Sequence, residues 1–197
     1  MSAPNHEEDR VLVVFLGDSL TAGYGLEEEQ AHPALIEERL LAEGWPVRVV
    51  NAGVSGDTTA GGLSRLDWLL RQRPDILVVS LGANDGLRGL PLSSSEENLR
   101  RIVEGAHDAG VRVLLTGMLM PPNYGPYADD FAAIYPRLAE ELETPLVPFL
   151  LDRVADRPDL ILADGIHPNA EGQAVLAETV LPHLRPLVEA AGVSSED

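Results

Sequence analysis

The stretch from residue 11 to residue 25, VLVVFLGDSLTAGYG, sets the fold of this 197-residue chain. Its first six residues are apolar without interruption, a pattern typical of a parallel strand that is buried on both faces. The nine residues that follow are small or polar except Leu20 and Tyr24, and three of them are glycine. They predict a tight turn from the strand into a helix.

Four more apolar, β-branched runs follow, and segments with helical spacing of apolar residues separate them. Strands that alternate with helices at this spacing form right-handed crossovers. We therefore predict an α/β fold, a three-layer α/β/α sandwich around a central, mainly parallel five-stranded sheet. The predicted strands are 11–16, 47–50, 76–81, 111–116 and 146–151, and the predicted helices are 32–43, 63–70, 94–109 (capped by Ser94 or Ser95), 131–142 and 174–187.

The chain is expected to form one domain over residues 11–191, with a flexible segment at 1–10 and a frayed tail at 192–197. Two irregular stretches, 82–95 and 118–130, each follow a predicted strand. Ligands in open α/β sheets bind outside the carboxyl ends of the strands. These stretches are therefore candidate walls of a pocket.

Composition excludes several kinds of chemistry. The chain has no cysteine and no lysine, and its 32 acidic and 14 basic residues give a net charge of −18. Thiol nucleophiles, disulfides and lysine-dependent phosphate or Schiff-base sites are excluded, and nucleic acid or anionic membranes are disfavoured as partners. No signal peptide or membrane anchor is recognisable, so the expected location is cytoplasmic, or periplasmic or secreted if a signal peptide was removed.

Three strand ends carry residues suited to acyl chemistry. Ser19 follows the first strand, where a hydroxyl is exposed beside helix-start amides, although Ser19 or Asp18 could equally act only as a helix cap. After the second strand, Gly56 lies in a glycine-flanked segment that can expose a backbone amide, or simply form a turn. After the third, the side chain of Asn84 can donate to an oxyanion, or belong to ordinary Asn-Asp-Gly turn chemistry.

A fourth block, DGIHPN at 164–169, lies before the last predicted helix. Asp164, three residues before His167, can orient the imidazole and stabilise its protonated form. Metal ligation is the competing interpretation, but no second histidine or cysteine lies nearby. Because the fold brings these blocks to one edge of the sheet, a nucleophile, a base with its carboxylate and oxyanion donors meet there.

In these four blocks, GDSL at 17–20, SGDT at 55–58, GAND at 82–85 and DGIHP at 164–168, the sequence resembles the SGNH, or GDSL-type, hydrolases. It is similar to their esterase, thioesterase and lysophospholipase group, from residue 11 to about 188. The resemblance implies a flavodoxin-like fold, a catalytic triad of Ser19, His167 and Asp164, and an oxyanion hole of the Ser19 and Gly56 amides and the Asn84 side chain.

The same resemblance implies a serine esterase that needs no cofactor and no metal, acting on small ester substrates with water. It also implies a mobile, substrate-closing segment at 86–91. Residues expected to contact substrate are Gly86, Leu87, Arg88, Leu119 and Pro121. Two alternatives remain: a carbohydrate acetylesterase with the same triad, and a non-catalytic, flavodoxin-like module that binds a small anion.

Overall fold

The structure, a computed structural model, describes residues 10–192. Five parallel strands form one sheet in the order β2-β1-β3-β4-β5. This is the order of a flavodoxin-like, doubly wound sheet. The predicted α/β class and the five-stranded parallel sheet are confirmed. The strands are β1 (Val11–Gly17), β2 (Val47–Gly53), β3 (Ile76–Ser80), β4 (Arg112–Thr116) and β5 (Leu146–Val147).

Helices cover both faces of the sheet. On one face α2 packs against α7, and on the other α5 packs between α3 and α6. The two short helices follow strands directly, α1 after β1 and α4 after β3. The helices are α1 (Ser19–Ala22), α2 (His32–Ala42), α3 (Thr59–Leu70), α4 (Ala83–Leu87), α5 (Leu92–Asp108), α6 (Pro126–Glu141) and α7 (Ala170–Gly192).

The core lies on both faces of the central strands. Every residue of β3 is buried, and only Leu12 of β1 is less than fully buried. Because central parallel strands in such a sheet are covered on both faces, their sequences are nearly continuous apolar runs. β2 is one of the two edge strands, and most of its residues are only half-buried. Among residues 10–192, no helix has both the length and the hydrophobicity needed to cross a bilayer.

Element boundaries differ from the predicted ones at several helix starts. α3, α6 and α7 begin four or five residues earlier than predicted, because small and polar first turns escape a search for apolar periodicity. β5 ends at Val147, because the next bond to the carbonyl of Gly117 comes from the amide of Leu150, at 2.9 Å, and not from Phe149 as a regular ladder requires. The stretches predicted as irregular, 82–95 and 118–130, contain α4 and the first turns of α5 and α6.

Two predicted positions are wrong. Neither Ser94 nor Ser95 caps α5, because the helix starts after Pro91, and the hydroxyl of Ser95 donates to Asp85 instead. His32 begins a predicted helix, where a solvated or half-buried position is expected for a histidine, but the structure buries it fully at the start of α2. Most of the predicted flexible segment, 1–9, and of the frayed tail, 193–197, lies outside the described residues, while Gly192 is the last residue of α7.

Candidate active site

Ser19 lies at the turn between β1 and α1. The side chain of Asp18 accepts a hydrogen bond from the amide of Leu20 at 3.0 Å, so Asp18 rather than Ser19 caps the helix. Gly53, at the end of β2, packs directly on this turn: a Cβ there would lie 2.3 Å from the amide nitrogen of Ala22. The half-buried hydroxyl of Ser19 is left available for another partner.

That partner is His167. Its Nε2 atom lies 2.9 Å from the Oγ atom of Ser19, and its Nδ1 atom lies 2.7 Å from Oδ2 of Asp164. Both distances are within hydrogen-bond range. The structure therefore brings the three residues of the predicted triad into one chain of hydrogen bonds, across 148 residues of sequence between serine and histidine.

The loop that carries the histidine is closed on itself. Leu162 donates to the carbonyl of His167 at 2.7 Å, and Asn169 donates from its backbone to Leu160 at 2.9 Å. Gly165 completes the bend with a φ of 72°, in the left-handed region that favours glycine. These bonds hold the imidazole at a fixed distance from α7, which begins directly after the loop.

Asp164 is held as a carboxylate. Its Oδ1 atom accepts hydrogen bonds from the backbone amides of Ile166 and His167, at 2.9 and 3.0 Å. Hydrogen bonds from the backbone amide of His167, from its side chain and from the amide of Ile166, in decreasing order of effect, lower the pKa of Asp164 to about 2. With Oδ1 occupied in this way, Oδ2 is directed at the imidazole in its ionised form.

Two backbone amides near the serine are available for a substrate. Within residues 10–192, neither the amide of Ser19 nor that of Gly56 has a hydrogen-bond acceptor. Gly56 has a φ of 81°, and its carbonyl accepts a hydrogen bond from Arg88 at 3.0 Å. A glycine in the left-handed conformation, with its own carbonyl held by a hydrogen bond, can keep its amide directed at a ligand.

The side-chain amide of Asn84 is partly engaged. Its nitrogen lies 2.9 Å from the carbonyl of Asp57 and 3.3 Å from Oδ2 of Asp18. The contact with Asp57 is the shorter and fixes the amide plane. The longer contact with Asp18 leaves the second hydrogen more easily available to an incoming oxygen.

Asp85, next to Asn84, forms a buried network that the sequence did not indicate. Its carboxylate accepts from the amide of Thr59 at 2.9 Å, from the hydroxyl of Thr59 at 2.6 Å and from Ser95 at 3.0 Å. The network joins α4 to the starts of α3 and α5. Its only sequence signal is an acidic residue directly after the predicted oxyanion donor.

Tyr24 packs against the ring of His167. Its ring centroid lies 4.5 Å from that of His167, at an interplanar angle of 34°. Tyr24 is also one of five exposed large apolar residues that follow the carboxyl ends of β1 to β4 or lie beside the histidine. The five, which we call the apolar rim, are Tyr24, Val54, Leu87, Leu119 and Ile166.

The residues expected to contact substrate occupy different environments. Leu87, Arg88, Leu119 and Pro121 are exposed near the site, but Gly86 is buried. A Cβ at Gly86 would lie 2.4 Å from the sulfur of Met120, so this glycine packs against the core side of the segment. The segment expected to be mobile, 86–91, is anchored by hydrogen bonds from Tyr124 to Leu87 and from Tyr127 to Leu90, at 3.3 and 2.8 Å.

The site is an open surface at the carboxyl ends of the strands. A separate cleft of about 480 Å³, lined by residues that include Arg112 and Leu187, lies at their amino ends. It is therefore distant from Ser19. Among residues 10–192, no group of three histidine and acidic side chains is placed to hold a metal ion.

Asp18 is a buried carboxyl group with 1% of its surface exposed, and burial raises its pKa to about 6. Well below pH 3.8 the group is protonated in both folded and unfolded chains, so it does not affect stability. As the pH rises from 4 to 7, the folded chain is expected to lose about 2 kcal/mol of unfolding free energy at this residue.

Urea unfolding of the wild type and of Asp18→Asn at pH 4 and pH 7 tests this expectation. Any pH-independent cost of the new amide beside Asn84 cancels in the difference between the two pH values. The wild type should lose more stability than the variant between these values. Equal losses would contradict a buried Asp18 with a raised pKa.

The comparisons with known proteins agree with this geometry. Residues 15–175 match the model of the GDSL-like lipase/acylhydrolase family. The chain belongs to this family. The membership confirms the resemblance drawn from the four blocks and identifies the chain as a serine ester hydrolase.

Individual relatives are similar over most of their length. An arylesterase of Vibrio mimicus is 43% identical over 93% of this chain and 92% of its own. Esterase TesA of Pseudomonas aeruginosa is 44% identical over 89% of each chain, and thioesterase 1/protease 1/lysophospholipase L1 of Escherichia coli is 42% identical over 89% of this chain and 84% of its own. A crystal structure of TesA, at 44% identity, superposes with a TM-score of 0.87 over 89% of this chain and 99% of that chain.

Proposed function

We propose that this esterase acts through an acyl-serine intermediate, with Ser19 as nucleophile, His167 as general base and Asp164 as the group that orients the base. The observation that carries the proposal is the continuous relay from Asp164 Oδ2 through the imidazole to Ser19 Oγ, with contacts of 2.7 and 2.9 Å. A serine within hydrogen-bond reach of a base that a third group orients is the arrangement that nucleophilic catalysis requires.

In the first stage, Nε2 of His167 accepts the hydroxyl proton as Ser19 Oγ bonds to the carbonyl carbon of the ester. The carbonyl oxygen becomes an oxyanion, and the amides of Ser19 and Gly56 and the side chain of Asn84 donate hydrogen bonds to it. The protonated imidazole, stabilised by ionised Asp164, then gives its proton to the leaving alcohol. The carbon–oxygen bond to that alcohol breaks, and the acyl-serine remains.

In the second stage, a water molecule takes the place of the alcohol. His167 accepts a proton from the water as the water oxygen attacks the acyl carbon, and the same three donors hold the second oxyanion. The proton then returns to Ser19 Oγ as the carboxylic acid leaves. The chain's own residues supply every proton transfer in this cycle.

The proposed substrates are aryl esters and esters of short to medium acyl chains, with thioesters and lysophospholipids as further substrates. The apolar rim offers an exposed surface for aryl or acyl groups beside the nucleophile. A net charge of −18 disfavours encounter with the polyanionic esters of coenzyme A. We therefore rank small neutral esters ahead of acyl-coenzyme A. We also propose a cytoplasmic location for the protein, with a periplasmic or secreted location as the alternative.

A carbohydrate acetylesterase is the second candidate considered. An acetylxylan esterase of Xylanibacter ruminicola is 24% identical over 91% of this chain but only 44% of its own length. Aromatic residues, which stack on sugars, make up only 5% of the chain. Both observations make this candidate the weaker one. A non-catalytic module that binds a small anion would leave the Ser19–His167–Asp164 relay without a role.

Two assays test the proposed function. In the first, p-nitrophenyl esters of increasing acyl length are hydrolysed beside acetylated xylan, and we expect turnover of the former with a preference for short to medium chains. In the second, a fluorophosphonate is mapped by peptide mass spectrometry, and we expect the label on Ser19. If no ester is hydrolysed, or if the label is on another residue, the proposal is refuted. A preference for acetylxylan would favour the second candidate.

A further inference from the structure

Arg65, in the second turn of α3, bonds to three groups that are far apart in the sequence. Its Nη1 atom donates to the carbonyl of Ala52 at 2.6 Å, its Nη2 atom to the carbonyl of Gly17 at 2.9 Å, and its Nε atom to the carboxylate of Asp57 at 2.9 Å. The side chain is 22% exposed, and that of Asp57 is 11% exposed. The guanidinium is thus enclosed among its acceptors.

The first two acceptors are the ends of adjacent strands. Gly17 is the last residue of β1 and precedes the turn that holds Ser19, whereas Ala52 is near the end of β2. The carbonyl of Gly17 also accepts the amide of Val54 at 3.0 Å, beyond the last residue of β2. Arg65 therefore bridges the two strand ends at the point where their sheet pairing stops.

The third acceptor, the carboxylate of Asp57, lies beside a candidate oxyanion donor. Asp57 directly follows Gly56, and its carbonyl accepts the side-chain amide of Asn84 at 2.9 Å. A second oxygen of the same carboxylate accepts the amide of Thr58 at 3.1 Å. By holding the Asp57 side chain, Arg65 fixes the residue that connects two of the three candidate oxyanion donors.

We propose that Arg65 is a positioning residue of the oxyanion hole: its guanidinium sets the relative positions of the Ser19 amide, the Gly56 amide and the Asn84 side chain. The inference rests on the proposed function, because it assigns these donors to the transition state. It predicts that Arg65 influences turnover rather than substrate binding, although it does not reach the substrate.

A lysine cannot replace the guanidinium in this role. Arginine presents five N–H donors in a rigid plane, and here three different nitrogens serve two carbonyls and a carboxylate. A lysine carries the same charge on one flexible nitrogen. Arg65→Lys therefore keeps the positive charge near Asp57 but loses the fixed spacing between the three acceptors.

The test compares steady-state hydrolysis of p-nitrophenyl butyrate by the wild type and by Arg65→Lys. We expect kcat to fall by about 10-fold or more, with KM within about twofold, because misplaced donors weaken binding of the transition state and not of the ester. Arg137→Lys is the matched control. Arg137 makes a similar two-nitrogen contact with Glu96 on the protein surface, and we expect its kcat to be unchanged.

A double-mutant cycle separates positioning from general destabilisation. If Arg65 acts through the oxyanion hole, the loss in kcat for Arg65→Lys combined with Asn84→Ala should be at least about threefold smaller than the product of the single losses. Asp57→Asn, which weakens the same contact from the other side, serves as the second variant if Arg65→Lys does not fold. Thermal melting of each variant ensures that rates are compared on folded protein.

The outcomes distinguish this inference from the proposed function. A wild type that hydrolyses no ester, or an active Ser19→Ala variant, would defeat the proposed function itself. An active wild type whose Arg65→Lys and Asp57→Asn variants keep their kcat would overturn only the role of Arg65. A rise in KM alone, or losses that multiply fully with Asn84→Ala, would overturn it as well.

Discussion

Ser19→Ala is expected to lower kcat for p-nitrophenyl esters by about 10⁶-fold, to the level supported by binding and the oxyanion donors alone. The substitution removes the atom that would form the covalent bond to the acyl group. His167 then retains its contact with Asp164 but has no hydroxyl from which to accept a proton. The measurement is initial-rate hydrolysis at saturating ester, together with loss of fluorophosphonate labelling.

The same substitution should leave the fold intact. Asp18, and not Ser19, caps α1, and within residues 10–192 the only side-chain partner of the Ser19 hydroxyl is the imidazole of His167. The melting temperature is therefore expected to change little. Ser93→Ala, which removes an exposed serine hydroxyl in the first turn of α5, is the matched control and should keep full activity. A Ser19→Ala enzyme that retains even a tenth of wild-type kcat would exclude Ser19 as the nucleophile.

The fold could be predicted from the sequence because the central strands are buried on both faces. β3 has no exposed residue and is apolar at every position except its last, Ser80, and this apolar run is visible in the sequence. Helix starts could not be placed as well. The first turn of α3 consists of small residues, and its cap, Thr58, satisfies the free amide of Gly61 without any apolar signal.

The candidate site could be predicted to the level of its residues but not of its electrostatics. The position of Ser19 after a strand, and of Asp164 three residues before His167, indicated which groups meet. Nothing in the local sequence indicated that Asp18 would be buried with a raised pKa, or that Asn84 would already bond to Asp57. Such properties depend on residues that only the folded chain brings together.

The same limit applies to the charged residues. The sequence shows 14 arginines and no lysine, which excluded lysine chemistry but assigned no role to any arginine. Arg65 differs from the surface arginines in its lower exposure and in its acceptors, which come from three separate segments. Arg157, by contrast, pairs with Asp159 two residues away, on the exposed surface. Acceptors that are distant in the sequence follow no periodic pattern. Composition therefore cannot distinguish Arg65 from Arg157.

Asp164→Asn is expected to lower kcat by about 10⁴-fold near pH 7 while the histidine stays in place. In the wild type, ionised Asp164 accepts a hydrogen bond from Nδ1–H of His167, which leaves Nε2 as the acceptor for the Ser19 hydroxyl. Oδ1 already accepts two backbone amides, so the side-chain NH₂ of asparagine would face the imidazole. An NH₂ donor favours a proton on Nε2, and that tautomer cannot accept the serine proton.

The pH dependence separates this role from a simple contribution to stability. Because the pKa of Asp164 is lowered to about 2 in the folded chain, its ionised form adds stability above pH 3.8, which is lost as the pH falls toward 2. Asp164→Asn should therefore be less stable than the wild type at pH 7 and equally stable near pH 2. Its loss of kcat, however, should be present throughout the pH range in which the wild type is active.

Asp159→Asn is the matched control, since Asp159 is an exposed carboxylate in the same region whose pKa Arg157 also lowers. Like Asp164→Asn, it should be less stable than the wild type at pH 7 and equally stable in acid. Unlike Asp164→Asn, it should keep its kcat. If Asp164→Asn and Asp159→Asn lose activity equally, the acidic charge of the region matters rather than the tautomer of His167. A large loss confined to Asp164→Asn, at unchanged KM, would follow only from a carboxylate that acts through the imidazole.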